Sequence, residues 1–212
     1  AQAAGGEDYA FLAAAAWRQT FAAHKLIATP AGEMALLSKE NDSNGCIGTA
    51  DVSYPSIPLF LKYCPELVNA LCRPILEFAD MPVWTDDFAP HDVGRYPNAT
   101  GQVYAAIRRR QVRNGETHPL YYLYPAGTEV YDVRYQMPVE ECGNMLVMLA
   151  AAQHYGADKA LAAKYRATLD KWVQYLVRYG EDPGEQLCTD DFAAHLAHNA
   201  NLAAKAIVGV SC

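Results

Sequence analysis

Apolar residues recur at steps of three and four over most of this chain, which is the pattern of helices that bury one face. The pattern is present in five segments, residues 7–27, 65–79, 138–156, 158–179 and 195–208. Pro74 lies inside the second stripe and predicts a kink or a break there. The fourth stripe is the most regular, and it contains Trp172 and ends at Gly180. We therefore predict a mainly α fold.

Long polar segments separate several of these helices. Residues 31–58 and 80–102 are predicted to be long ordered loops, which in compact domains are often functional. Residues 120–124 and 130–135 have an extended pattern around a turn, which predicts a small β-hairpin. Helical hairpins packed side by side, with the loops gathered at one end, fit this order.

The composition fits one globular domain over residues 1–212. Apolar residues make up 51% of the chain and charged residues 19%, which is typical of a folded protein. The net charge of −7 argues against a nucleic-acid partner, since phosphate binding needs clustered Lys and Arg. No apolar run reaches the roughly 20 residues of a membrane helix, so no membrane partner is predicted. The six cysteines lack the CxxC spacing of zinc sites, and one or two disulfides remain open.

Residues 136–145 carry a group of polar side chains at a predicted helix start. Pro138 suits a first helical turn, and Glu140 and Glu141 then lie where the helix dipole favours carboxylates. With Asn144 nearby, the two acids are either caps of the helix or members of a catalytic pair. Because consecutive helical residues point about 100° apart, we expect only one of them to face a cleft.

Two of the predicted loops carry further acids. Residues 86–94 place His91 beside Asp92, a pair that could transfer protons, orient a substrate or brace the loop. Residues 39–51, which end at Asp51, do not meet the ligand spacing of a calcium loop. Their Asn, Gly and Ser residues favour structural turns.

The segment 188–201 is the last polar group. Thr189 is a candidate N-cap, with Asp190 and Asp191 starting a helix. His195 and Asn199 are four residues apart and would share one helical face.

A metal site is a weaker interpretation of the histidines. His91, His195 and His198 could bind an ion together with an acid, but the HxxH spacing of the last two lacks the HExxH pattern. No metal or other cofactor is therefore predicted.

Paired carboxylates are the chemistry that these segments favour most. An acid held neutral can donate a proton while an ionised one acts as base or nucleophile. Sugar hydrolysis needs such a pair, and amide hydrolysis can use one as well. A serine nucleophile is not favoured, because the chain has no GxSxG motif.

Four motifs, in the same order along the chain, resemble the glutaminase A family of secreted fungal and bacterial proteins. They are KEN and NGCIGT within residues 39–49 with DVSYPS at 51–56, FAPHDVG at 88–94 with Tyr96-Pro97, MPVEECGNM at 137–145, and QLCTDDF at 186–192 with HLAHNANL at 195–202. Motifs of this length spread over nearly the whole chain make the resemblance specific.

The resemblance implies an α/α toroid of the six-hairpin glycosidase type, secreted or periplasmic, that hydrolyses the side-chain amide of L-glutamine. The catalytic residues are predicted from the polar segments themselves and not from the family: Glu140 or Glu141 would be the general acid or base, and Asp190 or Asp191 its partner. The predicted substrate-binding residues are His91, Asp92, Asp51, Asn144, His195, His198 and Asn199. A glycoside hydrolase on the same toroid, with a saccharide as its small-molecule substrate, and a non-catalytic fragment are the alternatives.

A ring of six hairpins needs about twice as many helices as this pattern provides. The chain is therefore expected to be an incomplete portion of a larger toroid, whose remainder would be a partner of this domain. An open portion of a ring exposes apolar helix faces. We predict that Trp172 and its stripe are buried and that the final helix has an underpacked face.

Overall fold

The structure, a computed structural model, describes residues 1–106, 131–189 and 195–212. Within these ranges the chain forms seven helices and one two-stranded sheet. The helices are α1 (Gln2–Ala22), α2 (Ala50–Tyr63), α3 (Glu66–Ala79), α4 (Pro138–His154), α5 (Ala160–Lys164), α6 (Arg166–Tyr179) and α7 (Ala200–Ser211). Strands β1 (His24–Ala28) and β2 (Met34–Ser38) lie between α1 and α2. The predicted mainly α fold is confirmed.

The sheet occupies residues for which the pattern predicts the end of a helix and the start of a loop. β1 and β2 pair antiparallel, with Leu26 opposite Leu36. β2 packs against α3, and Ala35, Leu36 and Leu37 are buried. Buried backbone groups need hydrogen-bond partners, and the pairing with β1 supplies them. The predictions of helix to residue 27 and of loop from residue 31 are therefore wrong.

The predicted β-hairpin is only partly within the described residues, because residues 107–130 lie outside them. Val133–Tyr135 forms a short 3-10 helix rather than a strand. The side chain of Asp132 caps this helix, since its Oδ1 accepts the N–H of Arg134 at 3.0 Å. This local side-chain cap stabilises the 3-10 helix over residues that the pattern predicts to be extended.

Two helices contain internal prolines, a residue type that by itself disfavours a helix. Pro55 and Pro58 lie inside α2, which occupies the second half of the predicted loop 31–58. Pro74 lies inside α3. The sequence predicts a kink or a break at this residue, and the helix is not broken there. α2 packs on α3 and α4, with Ile57 and Phe60 buried. Tertiary packing of these side chains outweighs the local penalty of proline.

The most regular stripe forms two helices rather than one. Tyr165, with φ −102° and ψ 24°, separates α5 from α6. The apolar face is nevertheless continuous, because Tyr165, Trp172 and Leu176 are all buried. The predicted burial is confirmed for Trp172, whereas Tyr179 at the end of the stripe is 47% exposed.

The last helix begins five residues later than predicted, at Ala200. Asn199 is its N-cap, and its Oδ1 accepts the N–H groups of Asn201 at 2.9 Å and Leu202 at 3.3 Å. A capping residue has non-helical backbone angles, so the helix cannot extend back through it. His195 and His198 therefore lie on the approach to the helix.

α4 is the centre of the fold and contacts α2, α3, α6 and α7. Every residue from Pro138 to Leu146 is buried. A Cβ built on Gly209 of α7 would lie 3.2 Å from the Cα of Gly143, so these two helices approach closely. The acids in the first turn of α4 consequently lie inside the protein.

The outer face of α7 is apolar and exposed. Ile207, Val208 and Val210 have 64%, 50% and 40% of their surface accessible, which confirms the predicted underpacked face. No helix in the described ranges is long and apolar enough to span a bilayer.

Candidate active site

Two helix N-termini bring acids to one buried cluster. Asp51 is in the first turn of α2, and Glu140 and Glu141 are in the first turn of α4. The backbone N–H of Ala50 donates to the carbonyl of His91 at 2.9 Å, which ties the following loop to the start of α2. The predicted residues Asp51, His91, Glu140 and Glu141 thus lie together.

Asp92 is fully buried and holds the loop around His91. Its Oδ1 accepts the N–H groups of Gly94 at 2.9 Å and Val103 at 3.1 Å, and its Oδ2 accepts the N–H of Tyr104 at 3.2 Å. The same Oδ2 lies 3.0 Å from Nδ1 of His91. A carboxylate with these partners fixes both the backbone of the loop and the orientation of the imidazole.

His91 is buried, and its ring stacks on Tyr104 with 4.2 Å between the ring centroids. Its Nε2 lies 3.7 Å from Oδ1 of Asp51 and 4.0 Å from Oε1 of Glu40. Burial lowers the pKa of His91, but the hydrogen bond to Asp92 and the nearby carboxylates outweigh it and raise the pKa to about 10. Asp92 and Asp51 are the largest of these opposing influences.

Glu140 has hydrogen-bond donors on both of its oxygens. Oε2 accepts the N–H of Thr189 at 2.7 Å, and Oε1 accepts the hydroxyl of Thr189 at 2.7 Å and Nζ of Lys205 at 2.9 Å. The ammonium of Lys205 also lies over the ring of Tyr54, 4.8 Å from its centroid. Both carboxylate oxygens of Glu140 are therefore hydrogen-bonded, and the residue connects α4 to Thr189 and to α7.

Glu141 is fully buried and less completely bonded. Its Oε2 accepts Nδ2 of Asn144 at 3.2 Å, while Oε1 has no hydrogen-bond partner. Burial raises the pKa of Glu141 well above its usual value, the charge of Asp51 adds to this, and His91 opposes it. Glu141 is the candidate in this cluster for an acid that holds a proton.

Asp51 resembles Glu141 in having one oxygen beside a polar neighbour and one that is unbonded. Its Oδ2 lies 3.4 Å from the hydroxyl oxygen of Thr189, whose single hydrogen is donated to Glu140, and its buried Oδ1 has no hydrogen-bond partner. Burial raises the pKa of Asp51, and the charge of His91 opposes this shift. The side chains of Asp51 and Glu40 are each 11% exposed, so they form the side of the cluster nearest to solvent.

Two sets of side chains in the cluster have the spacing of metal ligands. Asp51, His91 and Glu141 each offer a ligand atom within 4.8 Å of the other two, and Glu40, Cys46 and His91 do the same. Both sets use His91. Burial raises the pKa of the Cys46 thiol, with Asp92 and Glu40 adding to the shift, so the thiolate that binds metals well is disfavoured.

The remaining predicted residues are distributed differently. Asn144 is buried beside Glu141, whereas Asp190 and Asp191 lie outside the described residues. His195 is half-buried in an irregular segment and does not share a helical face with Asn199. Their predicted arrangement on one helix is wrong, because Asn199 caps the helix instead.

His198 lies on the surface and forms an ion pair there. Its side chain is 76% exposed, and its Nδ1 is 2.6 Å from Oδ1 of Asp182. Asn199 is engaged in capping and donates from Nδ2 to Sγ of Cys188 at 3.7 Å. The structure thus gives both residues local structural contacts.

Three members of the cluster were not predicted as site residues, namely Glu40, Thr189 and Lys205. Lys205 had a sequence signal, since it is the one charged residue in the apolar segment 200–212. Glu40 and Thr189 stand in the motifs that carry the resemblance, but a single acid or threonine in a polar segment has no distinguishing pattern.

Comparison with known proteins identifies the family. The glutaminase A six helical-hairpin domain matches residues 6–212. The chain is 36% identical over 208 residues to glutaminase A of Aspergillus oryzae, a match that covers 98% of this chain and 26% of that protein. It is 28% identical to a probable glutaminase of Arthroderma benhamiae, over 100% of this chain and 28% of that protein. No solved structure matches the chain.

The chain spans about a quarter of the length of these two relatives. The match to the family domain nevertheless covers almost every residue of this chain, including all of the elements that build the acidic cluster. The predicted family is therefore confirmed, and the chain belongs to the glutaminase A family through its six helical-hairpin domain.

Proposed function

We propose that this domain contributes the reaction centre of a glutaminase-type hydrolase, which cleaves the side-chain amide of L-glutamine to glutamate and ammonia. The reaction centre is formed by Asp51, His91 and Glu141. Glutamine is suggested by the names of the two relatives, one a glutaminase A and the other a probable glutaminase.

The observation that supports the proposal most directly is that Asp51 and Glu141 each have one buried carboxyl oxygen without a hydrogen bond. Oδ1 of Asp51 and Oε1 of Glu141 are buried without hydrogen-bond partners. Burying such groups destabilises a protein. Strongly shifted acids with unused bonding capacity are typical of functional sites, where the chemistry needs them.

Amide hydrolysis makes two demands on such a site. Water must be activated to attack the carboxamide carbon, and the departing nitrogen must receive a proton as the C–N bond breaks. Carboxylates meet the first demand either by taking a proton from the water or by holding a cation that acidifies it. A site that combines ionisable carboxyls with His91 has the groups for both demands.

Glu141 is a better candidate for direct participation than its neighbour Glu140. Both oxygens of Glu140 already accept hydrogen bonds from Thr189 and Lys205. We assign Glu140 as a positioning residue that holds Thr189 in place beside Asp51.

The test uses the full-length protein and measures ammonia and glutamate release from L-glutamine. Asp51→Asn and Glu141→Gln keep the size of each side chain while removing its charge. We expect each to lower kcat/KM at least about 100-fold. Glu181→Gln, at an exposed position after α6, is the matched control and should retain activity.

Two results would contradict the proposal. Full activity in both Asp51→Asn and Glu141→Gln would remove this cluster from the reaction. Release of sugar from glycosides without ammonia from glutamine would assign the domain to glycoside hydrolysis instead.

A further inference from the structure

We propose that Asp51, His91 and Glu141 bind a divalent transition-metal ion. The inference deepens the proposed function, and only its catalytic consequence rests on that function. Binding itself is argued from the geometry of the three side chains.

Each of the three side chains has one polar atom held by a neighbour and another that remains available. Nδ1 of His91 is 3.0 Å from Asp92, while Nε2 is directed toward Asp51. Oε2 of Glu141 accepts from Asn144, and its Oε1 has no hydrogen-bond partner. Metal-binding histidines and carboxylates are typically oriented in this way by outer hydrogen bonds.

Asp51 follows a similar pattern, with Oδ2 3.4 Å from the hydroxyl oxygen of Thr189 and Oδ1 free of hydrogen bonds. Its Oδ1 is 3.7 Å from Nε2 of His91, which is too long for a hydrogen bond. The two atoms are within ion-pair distance, and an ion bound between them would use the unbonded oxygen of Asp51 and Nε2 of His91 as ligands.

The separations are close to those that a bound ion requires. Nitrogen and oxygen ligands lie about 2.0–2.2 Å from zinc, which places neighbouring ligand atoms roughly 3.0–3.6 Å apart. The three ligand atoms lie within 4.8 Å of one another. Side-chain rotations that move each atom by less than about 1 Å would complete the site.

The charge of the cluster favours a cation. Two basic side chains, His91 and Lys205, lie among five carboxyl groups, those of Glu40, Asp51, Asp92, Glu140 and Glu141. Buried carboxylates without sufficient positive charge are unfavourable, and they either take up protons or bind metal ions. A divalent ion supplies the missing charge at the place where the oxygens are unbonded.

The ligand types select the class of ion. One imidazole with two carboxylates suits Zn²⁺ or Mn²⁺, whereas Ca²⁺ and Mg²⁺ prefer oxygen ligands alone. Three protein ligands leave a coordination position for water, as in catalytic zinc sites. The side chains of Asp51 and Glu40 are each 11% exposed and are the side of the cluster nearest to solvent. An ion here would acidify the water that amide hydrolysis consumes.

The binding test uses the full-length protein after treatment with a chelator and dialysis. Titration calorimetry with Zn²⁺, and separately with Mn²⁺, should give one equivalent bound per chain at this site, and Ca²⁺ should bind at least about tenfold more weakly. Asp51→Asn and Glu141→Gln should each weaken binding at least about tenfold. Asp92→Asn, which alters the support of His91 and of the loop that carries it, should weaken binding about 10–100-fold.

His198→Gln is the matched control, because it removes an exposed histidine that is paired with an acid. It should leave the stoichiometry and the affinity unchanged. Circular dichroism of each variant establishes that the helices are intact, so that a loss of binding reflects the ligands.

The possible results separate the two proposals. Absence of zinc and manganese binding, or equal binding by the wild type, Asp51→Asn and Glu141→Gln, overturns the metal site. Metal binding that is lost in these variants supports the site even if glutamine is not hydrolysed, in which case only the proposed function fails. Undiminished glutamine hydrolysis by metal-free protein overturns the catalytic part of the inference and leaves the proposed function standing.

Discussion

Nζ of Lys205 lies 2.9 Å from Oε1 of Glu140 and joins the middle of α7 to the first turn of α4. The two side chains are 11% and 4% exposed, so the pair is largely removed from water. The two residues are 65 positions apart in sequence, and the pair exists only because α4 and α7 pack directly on each other.

Lys205→Met should destabilise the protein strongly, because it leaves Glu140 buried without its cationic partner. Breaking one side of a buried pair costs about 3–5 kcal/mol, and the remaining bonds from Thr189 place this case at about 3 kcal/mol. Urea unfolding followed by circular dichroism measures the change. Lys171→Met, on the exposed face of α6, is the control.

The double variant Lys205→Met with Glu140→Gln completes this test. Since neither charge then remains, it should recover much of the lost stability. A double variant as unstable as the sum of its two single variants would show that the ion pair is not the source of the effect.

Gly143→Ala should destabilise α4, although alanine is ordinarily about 1 kcal/mol better than glycine inside a helix. A Cβ at this position would lie 2.6 Å from Cγ and 3.2 Å from Cδ of Lys205. The lysine must then move and lengthen its contact with Glu140. The temperature midpoint of unfolding should fall for Gly143→Ala and should not fall for Gly184→Ala, where a Cβ meets open space.

Acidification should destabilise the protein through His24. Burial lowers the pKa of His24, Lys39 acts in the same direction, and a hydrogen bond to the carbonyl of Thr20 opposes them. The unfolded chain then binds the proton more readily, so stability falls as the pH drops below about 6.5 toward the folded-state pKa. The raised pKa values of His91 and Glu141 act in the opposite direction, because the folded state binds their protons more readily, so the contribution of His24 is measured by comparing the wild type with a variant.

His24→Gln is the variant that isolates this effect, because glutamine does not titrate. The urea midpoint at pH 5, expressed relative to the midpoint at pH 7, should be higher in the variant than in the wild type. Equal slopes in the two proteins would mean that His24 titrates alike in the folded and unfolded states. His198→Gln, at an exposed position, provides the comparison for a histidine outside the core.

Asn199→Ala should cost about 1 kcal/mol, since it removes the side chain that accepts the first N–H groups of α7. Hydrogen exchange should accelerate at the amides of Asn201 and Leu202 before the rest of the helix is affected. Asn201→Ala, which removes an exposed side chain while keeping the cap, should leave this exchange unchanged.

Much of the architecture could be predicted from periodicity, because helices that bury one face leave a regular apolar pattern. The pattern predicts α3, α4 and α6 closely, and their observed ranges end within two residues of the prediction at Ala79, His154 and Tyr179. It fails where distant contacts decide the local structure. β1 is a strand because it pairs with β2. α2 is helical despite two internal prolines because its inner face is buried.

The candidate site was predictable in part for a related reason. Glu140, Glu141, His91 and Asp92 stand in dense polar motifs, and an acid after a proline at a helix start is a readable signal. The sequence could not predict that Glu140 is fully hydrogen-bonded and Glu141 is not. This difference depends on Thr189 and Lys205, which reach Glu140 from other parts of the chain. Asp51 as the neighbour of Glu141 likewise depends on how α2 and α4 pack.

Asp92 closes a loop with a single carboxylate, since it accepts N–H groups from Gly94 at one end and from Val103 and Tyr104 at the other. The stretch between these ends, residues 95–99, is exposed. Two roles are thus separated within one short segment. Substitutions at the exposed positions would change the surface of this loop, whereas the hydrogen bonds that hold the two ends of the loop and the imidazole of His91 converge on Asp92.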